Sequence, residues 1–162
     1  MPRALQHRTS ASGWSIVLPR EHESREVGPS YRGSAGCLHG RTLVGDLSKA
    51  LDRLMRIHGA TAVAIVDVNS GMAMAKAGDG IDLDVAAAGN TEVVRAKRET
   101  IKAMVLRDQI EDILITLGRQ YHIIRPLNWQ SGKFIYLVLD KDSASLAMAR
   151  ICAAEVESEL RL

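Results

Sequence analysis

The sequence predicts an α/β protein of the α+β kind, in which a five-stranded antiparallel sheet carries helices on both faces in the order α-β-β-α-β-β-β-α. Three observations predict it. Apolar residues alternate along the chain between helical spacing and short continuous runs. The last three runs are joined by connections short enough to demand antiparallel hairpins. One of these, Phe134 to Leu139, is apolar at every position, so both of its faces must be covered.

The elements follow in chain order. Residues 1–41 hold three of the four prolines (Pro2, Pro19, Pro29) and no sustained apolar period, and are expected to form a disordered N-terminal extension. Trp14 to Leu18 is the one apolar run in it, readable as a docking segment or as part of a bland tail. The domain is expected to occupy 42–162. Leu43, Leu47, Ala50, Leu51, Leu54 and Ile57 share one helical face, opposite Asp46, Lys49, Asp52, Arg53 and Arg56, and Gly59 is placed to stop that helix. Ala62 to Val68 and Met72 to Ala77, joined by Asn69-Ser70-Gly71, read as a hairpin because Asn and Gly accept the positive φ of tight turns. A second helix is expected from Leu83 to about Arg107, capped by Asp82 or Asp84.

Strands Ile110 to Leu117, Tyr121 to Leu127 and Phe134 to Asp140 come next. Pro126 suits a strand end, since it has no N–H to donate. Leu146, Ala149, Ala153, Val156 and Leu160 form the stripe of a last helix, capped by Asp142 or Ser143, with Glu155, Glu157 and Glu159 expected to be solvated.

Composition excludes several function classes. Residues 1–40 carry five Arg and three Glu, so the remainder holds sixteen basic and sixteen acidic residues of totals of 21 and 19. A balanced domain has no global electrostatic reason to bind nucleic acid or an anionic membrane, although local patches remain open to it. Aromatics at 4% argue further against single-stranded nucleic acid, which needs stacking platforms. No apolar run reaches the roughly 18 residues of a membrane span. With two cysteines, Cys37 and Cys152, a disulfide framework is not expected, and the expected location is the cytoplasm.

No catalytic signature emerges, so the chain is read as a non-enzyme without cofactor or metal. Gly78-Asp79-Gly80 lacks the third glycine of a dinucleotide loop. Asp67 to Gly71 opens like a calcium loop, but Met72 stands where glycine is needed and the closing Glu is missing. Cys37-Leu38-His39 supplies two soft ligands, with His7, His22, His58 and His122 only distant candidates for a zinc site. Trp129, in the connection before Phe134, reads either as folded back on the sheet or as an interface anchor.

This order of elements, with Leu54 to Val68, Ile113-Leu114-Ile115-Thr116-Leu117-Gly118, Phe134-Ile135-Tyr136-Leu137-Val138-Leu139-Asp140 and Leu146-Ala147-Met148-Ala149-Arg150, resembles the roadblock family of dynein-light-chain-type domains over about Thr42 to Leu162. The resemblance implies a profilin/longin-like fold. It also implies a homodimer in which the third domain strand pairs with its twin and the middle helices lie side by side, and a role as regulator or scaffold of a small Ras-like GTPase. The long N-terminal extension and the Arg95-Ala96-Lys97-Arg98 cluster depart from the usual pattern.

Physics supports the dimer independently. The strand after the middle helix would lie at a sheet edge, and a flat apolar edge is what proteins normally blunt. Ile110, Ile113, Leu114, Ile115 and Leu117 are therefore the expected edge of the interface, unless Glu111 and Asp112 act as gatekeepers, and the side-by-side helices that the resemblance implies add Val94 and Ile101. Arg95, Arg98 and Lys102 share a helical face and would form a basic ridge for an acidic partner, or an ordinary solvated face paired with Glu92 and Glu99. Two other functions stay open: a small-molecule sensor of profilin, GAF or PAS type, which needs an internal pocket, and a nucleic-acid-binding protein, disfavoured by the neutral domain.

Overall fold

The computed structural model describes residues 7–9, 15–17, 39–128 and 132–160. Two short strands come first, β1 (His7–Thr9) and β2 (Ser15–Val17), inside the stretch expected to be disordered. The rest of that stretch up to residue 38, with Trp14 and Cys37, lies outside the described residues, as does Trp129.

Helix α1 (His39–Met55) starts four residues ahead of the predicted stripe and buries Leu47, Ala50, Leu51 and Leu54, as the spacing requires. The chain turns at Gly59, where two constraints coincide. Its φ is +83°, and a Cβ here would fall 2.7–2.9 Å from atoms of Ala144. Left-handed backbone and close approach both demand glycine.

Strands β3 (Ala60–Asp67) and β4 (Ala73–Gly78) form the expected hairpin. Its turn is held by the Asp67 carboxylate, which accepts from the Ser70 amide at 3.0 Å and the Ser70 hydroxyl at 2.8 Å. Burial pushes the Asp67 carboxyl up, but these bonds, with one from the Asn69 amide, outweigh it and hold the group below its ordinary value.

Helix α2 (Leu83–Ala103) is capped by Asp82, which accepts from the amides of Asp84 and Val85. It ends earlier than the expected Arg107. Val105 enters the left-handed region at φ +54°, and the Val105 and Leu106 amides donate back to Lys102 and Ile101. This is a Schellman closure with valine where glycine is usual.

Strands β5 (Ile113–Thr116), β6 (Gln120–Pro126) and β7 (Lys133–Asp140) follow, and β5 is shorter than the expected Ile110 to Leu117. Helix α3 (Leu146–Glu159) has Ser145 at its N-cap instead of Asp142 or Ser143, because Ser143 is engaged in donating to Asp140. The expected solvation of all three late glutamates is corrected at Glu157. That residue is buried and receives Arg125 Nε at 2.5 Å and the Asn128 amide at 3.1 Å.

The strands order as β1-β2-β4-β3-β7-β6-β5, all neighbours antiparallel, so the expected five-stranded sheet is extended by the two N-terminal strands on the β4 side. Strand β7 lies between β3 and β6, and Phe134 to Leu139 are buried on both faces. One core joins α1 and α3 to the sheet through Leu51, Leu54, Ile65, Ile123, Leu137 and Ala153. The other lies under α2 and contains Val66, Leu83, Ala87, Val94, Ile124, Phe134 and Tyr136.

Candidate functional site

Among the described residues the sheet ends at β5, whose outer side has no neighbouring strand there. Its side chains alternate: Ile113 and Ile115 pack toward the α2 core, Leu114 toward the α1/α3 core, and all three stay half-buried. The backbone has a definite parity too. The Leu117 amide donates to Gln120 at 2.8 Å, so in the antiparallel β5/β6 pair the main-chain groups of Ile113, Ile115 and Leu117 face β6. Those of Leu114 and Thr116 therefore point outward, ready for another strand.

Helix α2 covers only part of its face of the sheet. Lys76 of β4 pairs with Asp84, which sets one flank of the helix above β4. The opposite flank carries Ala86, Asn90, Val93, Lys97, Ile101 and Met104 at helical spacing, and Asn90 hydrogen-bonds the Tyr136 hydroxyl of β7. Beyond this flank the same sheet face carries Ile113, Ile115 and His122, all only partly buried.

The sequence-derived interface residues sort as follows. Ile113, Leu114 and Ile115 line the edge, and Leu117 follows it at 45% exposed. Ile110 and Ile101 meet in a groove of about 210 Å³ with Arg98, Lys102, Asp108, Gln109, Pro126 and Asn128. Val94 is a correction: at 0% exposed it is consumed by the protomer's own core and has no surface for a partner. Sequence reading passed over Val93 and, although it placed Met104 on the apolar stripe of the middle helix, left it out of the interface, and both are exposed. Their spacing from Ile101 was the available signal, but the same helix offers Val94 one residue away, and only packing decides which side faces in.

The three basic residues do not act alike. Arg95 is tied down: its Nη2 donates to the carbonyls of Val68 at 2.6 Å and Asn69 at 3.0 Å, and its Nη1 to Glu92. Lys102 pairs with Glu99 on the surface. Arg98 forms no ion pair among the described residues and borders the groove shared with Ile110.

His122 sits in a polar chain on the α2 face of the sheet. Its Nε2 is 3.1 Å from Gln120 Oε1 and its Nδ1 2.9 Å from the Tyr136 hydroxyl. The Gln120 carbonyl can only accept, so Nε2 carries the proton and Nδ1 accepts from Tyr136. Burial pushes the imidazole down and the phenol up, so both are held neutral. No cluster of three His, Cys, Asp or Glu that could hold a metal occurs among the described residues, and no helix there is long and apolar enough to cross a membrane.

Solved structures share this architecture. MglB of Myxococcus xanthus superposes with a TM-score of 0.64 at 20% identity, over 72% of this chain and 85% of that one. The gliding protein MglB of Thermus thermophilus gives 0.64 at 17% identity, over 76% and 90%. A roadblock/LC7 domain from Streptomyces avermitilis gives 0.60 at 14% identity, over 72% and 92%. No family model matches the chain, and no curated protein matches it. The described residues form an α+β domain of three helices on an antiparallel sheet, and the fold is of the roadblock type.

Proposed function

We propose that the chain is a non-catalytic, homodimeric regulatory or scaffold module acting on a small Ras-like GTPase or a related signalling complex. The observation that carries the self-association is the open β5 edge, whose outward amides and half-exposed isoleucines have no partner strand among the described residues of the protomer. Pairing with a second copy satisfies both at once, because a two-fold axis joins like to like and leaves no new edge. The roadblock-type fold supports the GTPase reading. The groove bordered by Arg98 and Lys102 is the proposed docking place for an acidic partner surface, with Arg95 fixing the helix that presents it.

The competing sensor reading needs an enclosed cavity. The groove between α1 and α3 is about 260 Å³, that at Arg98 about 210 Å³ and that beside Arg150 about 440 Å³, all bordered by charged side chains, and none favours it. Light scattering at micromolar concentration is expected to give twice the chain mass, and a monomer mass would overturn the dimer. Affinity capture with GTP-analogue-loaded GTPases is expected to retain one. Arg98→Glu should weaken that retention and flatten its salt dependence, and an unchanged salt dependence would remove the docking role.

A further inference from the structure

Resting on the dimer reading above, we infer that the two β5 strands pair in one register, centred on Ile115, and that Glu111 and Arg119 select it. In an antiparallel pair, residues directly opposite one another point to the same face. A dimer axis normal to the sheet must therefore pass beside a residue that meets its own copy, since an axis between two residues would set Ile113 and Ile115 against side chains of the other face.

Few centres remain. Centring on Leu114 lays Glu111 against the partner's Leu117, and centring on Ile113 lays Glu111 against the partner's Ile115. Centring on Thr116 brings Ile113 against the partner's Arg119. Centring on Ile115 matches every pair: Ile115 with Ile115, Ile113 with Leu117, and Glu111 with the turn that carries Arg119. Leu114 and Thr116, whose main-chain groups point outward, then become the hydrogen-bonded pair.

The protomer leaves these groups available. Asp112 is occupied by Arg150 at 2.8 Å, whereas Glu111 and Arg119 are exposed and form no ion pair among the described residues, Arg119 acting on Asp140 only through its field. Leu117 is an exposed leucine beside a hairpin turn until Ile113 of a second copy covers it.

The register can be read by cross-linking. With Ile115 at a non-hydrogen-bonded position, the facing Cβ atoms would lie about 4.5–5.5 Å apart, close enough for a disulfide after small adjustment. Full-length protein carrying Cys37→Ser and Cys152→Ser is given Ile113→Cys, Leu114→Cys or Ile115→Cys singly and mildly oxidised. Ile115→Cys is expected to yield a covalent dimer and the other two far less. Faster cross-linking through position 113 or 114 overturns the register. A non-covalent dimer that none of the three cross-links overturns it as well, while leaving the dimer standing. A monomeric parent removes both. As a second readout, Glu111→Arg should weaken dimerisation by about tenfold, and adding Arg119→Glu should restore it; failure of that rescue removes the ion pair as the selector.

Discussion

The two faces of the sheet are made by the same strands yet are covered unequally. On one, α1 and α3 lie over a core that takes in residues from β3 to β5, and β6 is clamped to α3 by the buried Arg125 to Glu157 pair. On the other, among the described residues, α2 lies above β3 and β4 and leaves Ile113 and Ile115 of β5 only partly buried. Neighbouring residues of β6 feel the difference: Ile123 is buried under the helix pair, while His122, facing the other way, is only partly covered and needs hydrogen bonds to Gln120 and Tyr136. A face with two helices completes itself within one chain. A face with one helix leaves the isoleucines of β5 only partly buried.

Truncation should expose this contrast most strongly. Leu137→Ala, in the closed core, is expected to cost about 2–5 kcal/mol of protomer stability. Ile115→Ala should cost about 1 kcal/mol or less in dilute protein where little dimer forms, and should act mainly on the dimer constant. Urea unfolding across a concentration series separates the two. Equal losses at all concentrations would mean that the β5 face is already closed in the protomer.

A smaller effect is expected where α2 ends. Val105 is 83% exposed and held at φ +54°, a conformation disfavoured for a β-branched residue. Val105→Gly should raise stability by about 1 kcal/mol, seen as a higher unfolding midpoint. A lowered midpoint would mean that the valine side chain makes a contact worth more than the strain.

The smallest effect concerns pH. The folded-state pKa of His122 is depressed, so between it and the ordinary value near 6.5 the unfolded chain binds more protons. Stability from this group is present above about pH 6.5 and is lost as pH falls through the folded value. His122→Gln should flatten that part of the stability curve, measured by thermal unfolding from pH 5 to 7. If a partner helix covers His122, the slope should steepen at concentrations where the dimer dominates.

Sequence alone located the three helices and the five strands from β3 to β7, because each is local, but not β1 and β2, which lie in the stretch expected to be disordered. The spacing of Leu47, Leu51 and Leu54 marks α1, the Asn69-Ser70-Gly71 turn marks the first hairpin, and the unbroken apolar run of β7 marks a strand covered twice. It also placed β5 at an edge, since a hairpin meander beginning there has one unpaired side. Within those elements, tertiary structure decided what no periodicity could. Val94 and Val93 are adjacent valines on one helix, yet docking of α2 on Val66 and Phe134 turns Val94 inward and leaves Val93 out. Glu157 reads as one of three solvated acids until α3 settles across β6 and meets Arg125. Arg95 resembles its neighbours in charge, but the carbonyls it anchors come from a turn 26 and 27 residues earlier in the chain. Local spacing fixes which face of a helix is apolar, whereas the rotation of that helix on the sheet is set by contacts between distant segments, and it is that rotation which assigns each residue to the core, to the surface or to a partner.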